Sequence, residues 1–169
     1  MEVWSVWSGE IQDQPGAVAG VLRQLAEANT DLEMVVARRQ PDRPGAGIIF
    51  LAPVKGRRAK AAAAVAGLSP APGVAALRVE GTNRLGLGAK MTSAIADAGI
   101  NMRGLSAAVL GKRFVAYMAF DSAEDADKAG KAIKAADTAK TRKAKSTKRW
   151  GDDSPMAESV PVASAVRRR

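Results

Sequence analysis

Six small residues stand at positions where they could hold a compact ion pair. Asp13, Gly16 and Asp31 recur as Asn83, Gly86 and Asn101 at a constant offset of 70 residues, without a gap. Gly16 and Gly86 each sit at the start of a helical pattern. There the first backbone N–H groups lack an internal partner and the helix dipole is positive, so a carboxylate is a natural occupant. Glycine has no Cβ, which lets a ligand approach the backbone. Asn83 and Asn101 offer both donors and acceptors to an ammonium and carboxylate pair, and Asp13 and Asp31 could take the ammonium. The same residues also read as ordinary punctuation, because Asp or Asn ahead of a helix caps it and Asn after a helix turns the chain. The second set suits a zwitterion better: the first has carboxylates at both places, would repel a ligand carboxylate, and fits a dimerisation role.

The elements that position these residues follow from periodicity. In Gly81 to Met102 a strand ends at Glu80, a helix runs from Leu85 to Ala98 with Met91, Ile95 and Ala98 on one face, and Gly99 stops it. The earlier stretch matches, with Val21 under Met91, Leu25 under Ile95, Ala26 under Ala96 and Asn29 under Gly99. Val3 to Ile11 reads as a strand, and Pro15 suits the first helical turn because its missing N–H would have had no partner there. Leu32 to Arg39 and Gly47 to Val54 read as strands, Arg57 to Gly67 as a helix, and Leu68 to Gly73 as a hinge between copies. The second copy continues with strands Val74 to Glu80, Ile100 to Val109 and Phe114 to Phe120. A helix over Ser122 to Ala136 opens on a capping pair, Ser122 with Asp125.

Each copy is therefore β-α-β-β-α, one strand short of a split βαββαβ unit. Val74 to Glu80 reads as the last strand of the first copy or the first of the second, not both. Ser159 to Val166 is a candidate for the missing strand, confined by Pro161 to an edge or a strand start. The domain reading is 1–70 for the first unit, 71–137 for the second, and 138–169 for a basic tail.

Composition narrows the function. The 169 residues include no Cys and no His, which removes disulfides, thiol chemistry, zinc sites built on nitrogen or sulfur, and the commonest general base. The dense carboxylates, Asp121, Glu124, Asp125 and Asp127, are spaced as an exposed helix face, and no nucleophile and base pair stands out, so an enzyme is not expected. Gly86-Leu87-Gly88 is a lone GxG and signals no cofactor. Met1 to Gly9 lacks a signal-peptide pattern and no run is long enough to span a membrane, so a cytoplasmic protein is expected. The net charge of +9 is uneven. Residues 1–137 hold 17 basic and 14 acidic side chains, and residues 138–169 hold 9 and 3. Thr138 to Arg149 reads as a solvated flexible segment or as an arm for an anionic partner.

These residues resemble the ACT domain, a small βαββαβ regulatory module. The strand, the D-x-P-G turn (Asp13, Gln14, Pro15, Gly16) and the helix ending in Asp97, Ala98, Gly99, Ile100, Asn101, Met102 are similar to that family over Val3 to Ala136. The second copy departs at the turn, with Asn83, Arg84, Leu85, Gly86, and the first at the helix end, with Ala28, Asn29, Thr30, Asp31. The resemblance implies an α+β fold of tandem ferredoxin-like units, with antiparallel sheets, helices on one face and a basic C-terminal tail appended. It also implies a non-catalytic sensor, without cofactor or metal, in which a strand-to-helix turn faces a partner unit and the pocket is shared. The expected ligand is an amino acid, the expected assembly a homodimer, and the expected partner an enzyme of amino-acid metabolism. The binding positions would be Asn83, Leu85, Gly86 and Asn101, with Asp13, Pro15, Gly16 and Asp31.

The same element order fits an RNA-binding ferredoxin-like module assisted by the basic tail. Gly111 to Phe120 has the right aromatic flavour for it, with Phe114 and Tyr117 or Phe120 as stacking candidates. Alternation instead puts Phe114, Ala116, Met118 and Phe120 on one face, which is a core pattern.

Overall fold

Strand β1 (Glu2–Gln12) carries Val3, Trp4, Val6, Trp7 and Ile11, residues that fit a pleated, buried surface, and the chain uses it twice. One edge pairs antiparallel with β3 (Ala46–Ala52), from Trp7↔Leu51 to Gln12↔Ala46. The other pairs antiparallel with β4 (Ser69–Thr82), from Glu2↔Arg78 to Ser8↔Ser69, with a bulge between Ser5 and Trp7. Strand β2 (Met34–Arg39) lies outside β3, while β6 (Arg113–Phe120) and then β5 (Gly104–Leu110) continue beyond β4. The result is one six-stranded antiparallel sheet of order β2-β3-β1-β4-β6-β5. The computed structural model describes residues 1–148, with side chains through residue 138, and Met1–Ala136 forms the body. The strand expected at Ser159 to Val166 lies outside the described residues.

Strand β4 corrects the sequence reading in two ways. It starts at Ser69, so the expected hinge from Leu68 to Gly73 is mostly strand. Pro70 and Pro72 are tolerated because β6 pairing begins only at Ala75↔Phe120, and before that β4 has one free edge. Strand β4 also does what the local pattern treated as exclusive: it closes the first β-α-β-β-α set against β1 and opens the second against β6. The expected plural sheets are therefore a single sheet.

Helices α1 (Ala17–Glu27), α2 (Gly56–Val65), α3 (Leu87–Asp97) and α4 (Ala123–Lys148) supply apolar faces to two clusters. Val21 and Leu25 of α1 pack with Trp7, Ile49 and Leu51, and Met91 and Ile95 of α3 pack with Leu77, Met118 and Phe120. Phe120 is fully buried and Phe114 leans on the same cluster, as alternation predicted. Ser122 caps α4 as expected: its Oγ accepts the Asp125 N–H at 3.0 Å and donates to the Asp125 carboxylate at 2.8 Å. The helix continues past the expected end at Ala136 to Lys148, because the stretch after Gly130 is rich in Ala, Lys and Arg and holds no Gly or Pro before Gly151.

The helix-free face is curled into a trough. Four strand spacings of about 4.8 Å separate β6 from β2 in a flat sheet, beyond the reach of a tyrosine. Tyr117 of β6 nevertheless donates its hydroxyl to the carbonyl of Glu33, just ahead of β2, at 2.6 Å. Arg78 of β4 meets the Glu33 carboxylate at 3.1 Å and stacks over Trp4, 5.8 Å from the ring centroid. The curl buries Trp4, Val6, Met34, Ala52 and Ala76 in a cluster to which, among the described residues, no helix contributes.

Candidate strand-to-helix site

The two glycine turns are built alike, residue for residue. Gly16 precedes α1 with φ 87° and ψ −11°, and Gly86 precedes α3 with φ 76° and ψ 4°. This is the left-handed region that favours glycine. In the first turn the Ala17 N–H bonds the Gln14 carbonyl at 3.3 Å and the Gly20 N–H bonds that of Gly16 at 2.9 Å. In the second the Leu87 N–H bonds the Arg84 carbonyl at 3.2 Å and the Lys90 N–H bonds that of Gly86 at 3.0 Å. Even the flanking hairpins match: the Asp13 N–H reaches the Gly45 carbonyl at 3.0 Å and the Asn83 N–H that of Lys112 at 2.8 Å. No side chain caps either helix, so Asp13 and Asn83 are not the N-caps that their types suggested. A Cβ built on Gly16 or Gly86 meets nothing within 4 Å.

Pro15 and Leu85 are exposed beside these glycines, and Leu85 projects fully into solvent. Asp31 and Asn101 lie at the other ends of α1 and α3. Each of these helices has 11 residues, hence a length of about 16 Å. One chain therefore does not bring Asn83 to Asn101, nor Asp13 to Asp31. The turns themselves sit at opposite ends of the sheet, because β1 and β4 run antiparallel and each turn follows the end of its strand.

The charges of the two turns differ. The Asp13 carboxylate accepts from Arg39 Nε at 2.9 Å, so a ligand ammonium there would compete with a guanidinium. The second turn carries no carboxylate between Gly81 and Ala96. Arg39 was missed because it lies 26 residues from Asp13 and no local pattern links them; the adjacent hairpin turns were visible, but not their place beside the helix starts. The helix ends follow expectation more closely: Asn29 has φ 53° and Gly99 φ 71°, each turning the chain out of its helix.

At the start of β1 the buried Trp4 indole N–H makes no hydrogen bond of good geometry. Its influence is still the largest of those that hold the Glu2 carboxyl below its ordinary value, against desolvation and with help from Lys55 at 3.4 Å and from Arg78. Burial pulls the Arg78 guanidinium down, but Tyr117, Glu80 and Glu33 outweigh it and the group stays charged. Among the described residues no three His, Cys, Asp or Glu side chains gather as a metal site, and no helix is long and apolar enough to cross a membrane.

No protein-family model matches the sequence, and no curated protein matches it significantly. Solved structures do match the fold. Protein BT0572 from Bacteroides thetaiotaomicron superposes with a TM-score of 0.65 at 14% identity, over 78% of this chain and 89% of that one. The ligand-free regulatory subunit of aspartate kinase from Thermus thermophilus gives 0.58 at 22% identity, over 80% and 95%. The corresponding subunit from Thermus flavus gives 0.52 at 24% identity, over 80% and 94%. At these identities the likeness establishes the fold alone: α+β, with a curled antiparallel sheet and four helices.

Proposed function

We propose that this protein is a non-catalytic regulatory module of tandem ACT-like units that binds an amino acid at its strand-to-helix turns and acts on a partner enzyme of amino-acid metabolism. The observation that carries the reading is the duplicated turn: Gly16 and Gly86 share one left-handed geometry, lack side-chain caps and leave open space where a Cβ would stand. Such a turn offers helix-start N–H groups to a carboxylate. The second turn, free of carboxylates, is the better receptor.

The fold shared with two subunits described as regulatory supports the role, and a homodimer is the assembly in which paired units would share the site. Every residue of β5 is exposed, with Leu105, Val109 and Leu110 at 49%, 54% and 75%. Among the described residues no strand pairs with its outer edge, and an apolar edge of this kind favours pairing with a second chain. The RNA-binding reading finds less support, since Phe114 and Phe120 serve the core, Trp4 is 4% exposed and Tyr117 is tied to Glu33.

Calorimetric titration of the full chain against the twenty amino acids tests the proposal. One or a few ligands should bind saturably, and Asn83→Ala should abolish the heat while leaving the melting temperature unchanged. Silence across the panel, with tight RNA binding by residues 1–137, would overturn it.

A further inference from the structure

The trough on the helix-free face holds a cavity of about 390 Å³, within the range of about 300–1,000 Å³ typical of small-molecule sites. It is remote in kind from the glycine turns, because strands rather than helix starts build it. The apolar lining comes from Val6, Phe50 and Ala76 in the middle of the sheet and from Met34 and Val36 of β2. The far wall is the start of β5, where Ser106 stands opposite Tyr117 in the β5–β6 register. Arg38 and Arg103 are the charged residues of the lining, which includes no Asp or Glu.

The two arginines differ in availability. Arg103 donates to the Gly73 carbonyl at 3.1 Å and to Asp121 at 3.2 Å, which uses part of its five-donor fork and holds it in place. Arg38 has no hydrogen bond or ion pair among the described residues and is exposed. An apolar hollow with one anchored and one uncommitted guanidinium matches a molecule with an apolar body and a single anionic head. Its charge also discriminates. An α-ammonium group brought into this hollow would lose water, meet no carboxylate and face two cations, so the pocket rejects the zwitterion that the glycine turns would accept.

We propose that the trough is a second ligand site, selective for a small apolar carboxylate without an ammonium group, whose carboxylate is held by Arg38 and Arg103 and whose body lies on Val6, Phe50 and Ala76. The two sites would then report on a nitrogen-bearing acid and a nitrogen-free one separately.

The test is calorimetry on the full chain with 4-methyl-2-oxopentanoate and with leucine, which share the side chain and differ at the α-carbon. The oxo acid should bind saturably, and leucine should compete with it at least tenfold more weakly. Arg38→Gln should weaken the oxo acid about tenfold or more, as expected for loss of a charge-assisted contact, with little change in melting temperature because Arg38 is exposed and unbonded. Ser106→Phe, which fills the wall of the cavity, should abolish binding. Asn83→Ala should leave the oxo acid unaffected, which separates this site from the turns. Absence of saturable binding up to the millimolar range, equal competition by leucine, or oxo-acid binding that survives both Arg38→Gln and Ser106→Phe would each overturn the assignment.

Discussion

Replacing Gly16 or Gly86 by alanine isolates the backbone geometry on which the duplicated turn depends. A Cβ at either position touches nothing within 4 Å, so no steric contact enters, and φ of +87° or +76° is what the new residue must adopt. An L-residue in that region costs about 1–2 kcal/mol. Alanine also restricts the unfolded chain, which returns about 0.4–1 kcal/mol. The net expectation is about 1 kcal/mol of destabilisation at each turn. With a urea slope of about 2 kcal/mol per molar, each midpoint should fall by about 0.5 M at unchanged slope. Because the turns lie at opposite ends of the sheet, the double variant should lose about 2 kcal/mol, additive within about 0.5 kcal/mol. Gly20→Ala provides the control: it sits inside α1 at ordinary φ with open space around it, so the same methyl should stabilise by about 0.5–1 kcal/mol. A neutral or stabilising Gly16→Ala or Gly86→Ala would refute the left-handed turn, and a difference above about 1 kcal/mol between the two would refute their equivalence.

Phe120→Ala should cost about 3–5 kcal/mol in urea denaturation, since the ring is fully buried between β6 and α4, and a loss under about 1 kcal/mol would contradict that burial. Tyr117→Phe should cost about 1 kcal/mol, the net worth of one hydrogen bond to a carbonyl that water can otherwise reach; no measurable change would mean that the bond does not hold the curl. Residues 1–68 expressed alone should show no cooperative melt, because they lack β4 and leave the apolar β1 edge open; a sharp two-state transition would make the first half an independent domain. Stability should be level from about pH 5.5 to 9.5, since the chain has no His, Arg78 stays charged throughout, and the other displaced groups are Glu2, lowered from 4.5, and Lys128, raised from 10.5 by its bond to Glu124. The Glu2 contribution is present above its unfolded value and fades as pH falls through the folded one, whereas that of Lys128 is present below 10.5 and fades on the alkaline side. A melting-temperature step near neutral pH would refute this.

What the sequence made legible is what short-range physics decides. The stripes Val21/Leu25 and Met91/Ile95, the left-handed Asn29 and Gly99, and the Ser122 cap all rest on contacts within one helical turn. What it concealed rests on partners far along the chain. Pro70 and Pro72 read as a hinge because the free edge that admits them depends on where β6 stops. Asp13 read as a helix cap because Arg39 was out of local view. The trough was invisible for the same reason in stronger form: its curl is tied by Tyr117 and Glu33, 84 residues apart, and its lining comes from all six strands.

The missing sixth strand has a physical resolution in the edges. Two separate β-α-β-β-α units would each hold a three-stranded sheet, and β1 and β4 would stand at the edges with unpaired N–H and C=O groups. Pairing β1 with β4 satisfies both rows at once and, among the described residues, leaves only β2 and β5 as edges. It also lets the apolar residues of the two strands alternate usefully: Ala75, Leu77 and Val79 face the helices while Ala76 joins Trp4 and Val6 on the other side. A strand that belongs to both halves must be apolar on both faces, and β1 and β4 are. The apolar far side left by that requirement is what the curl covers, and the space it does not fill is the trough.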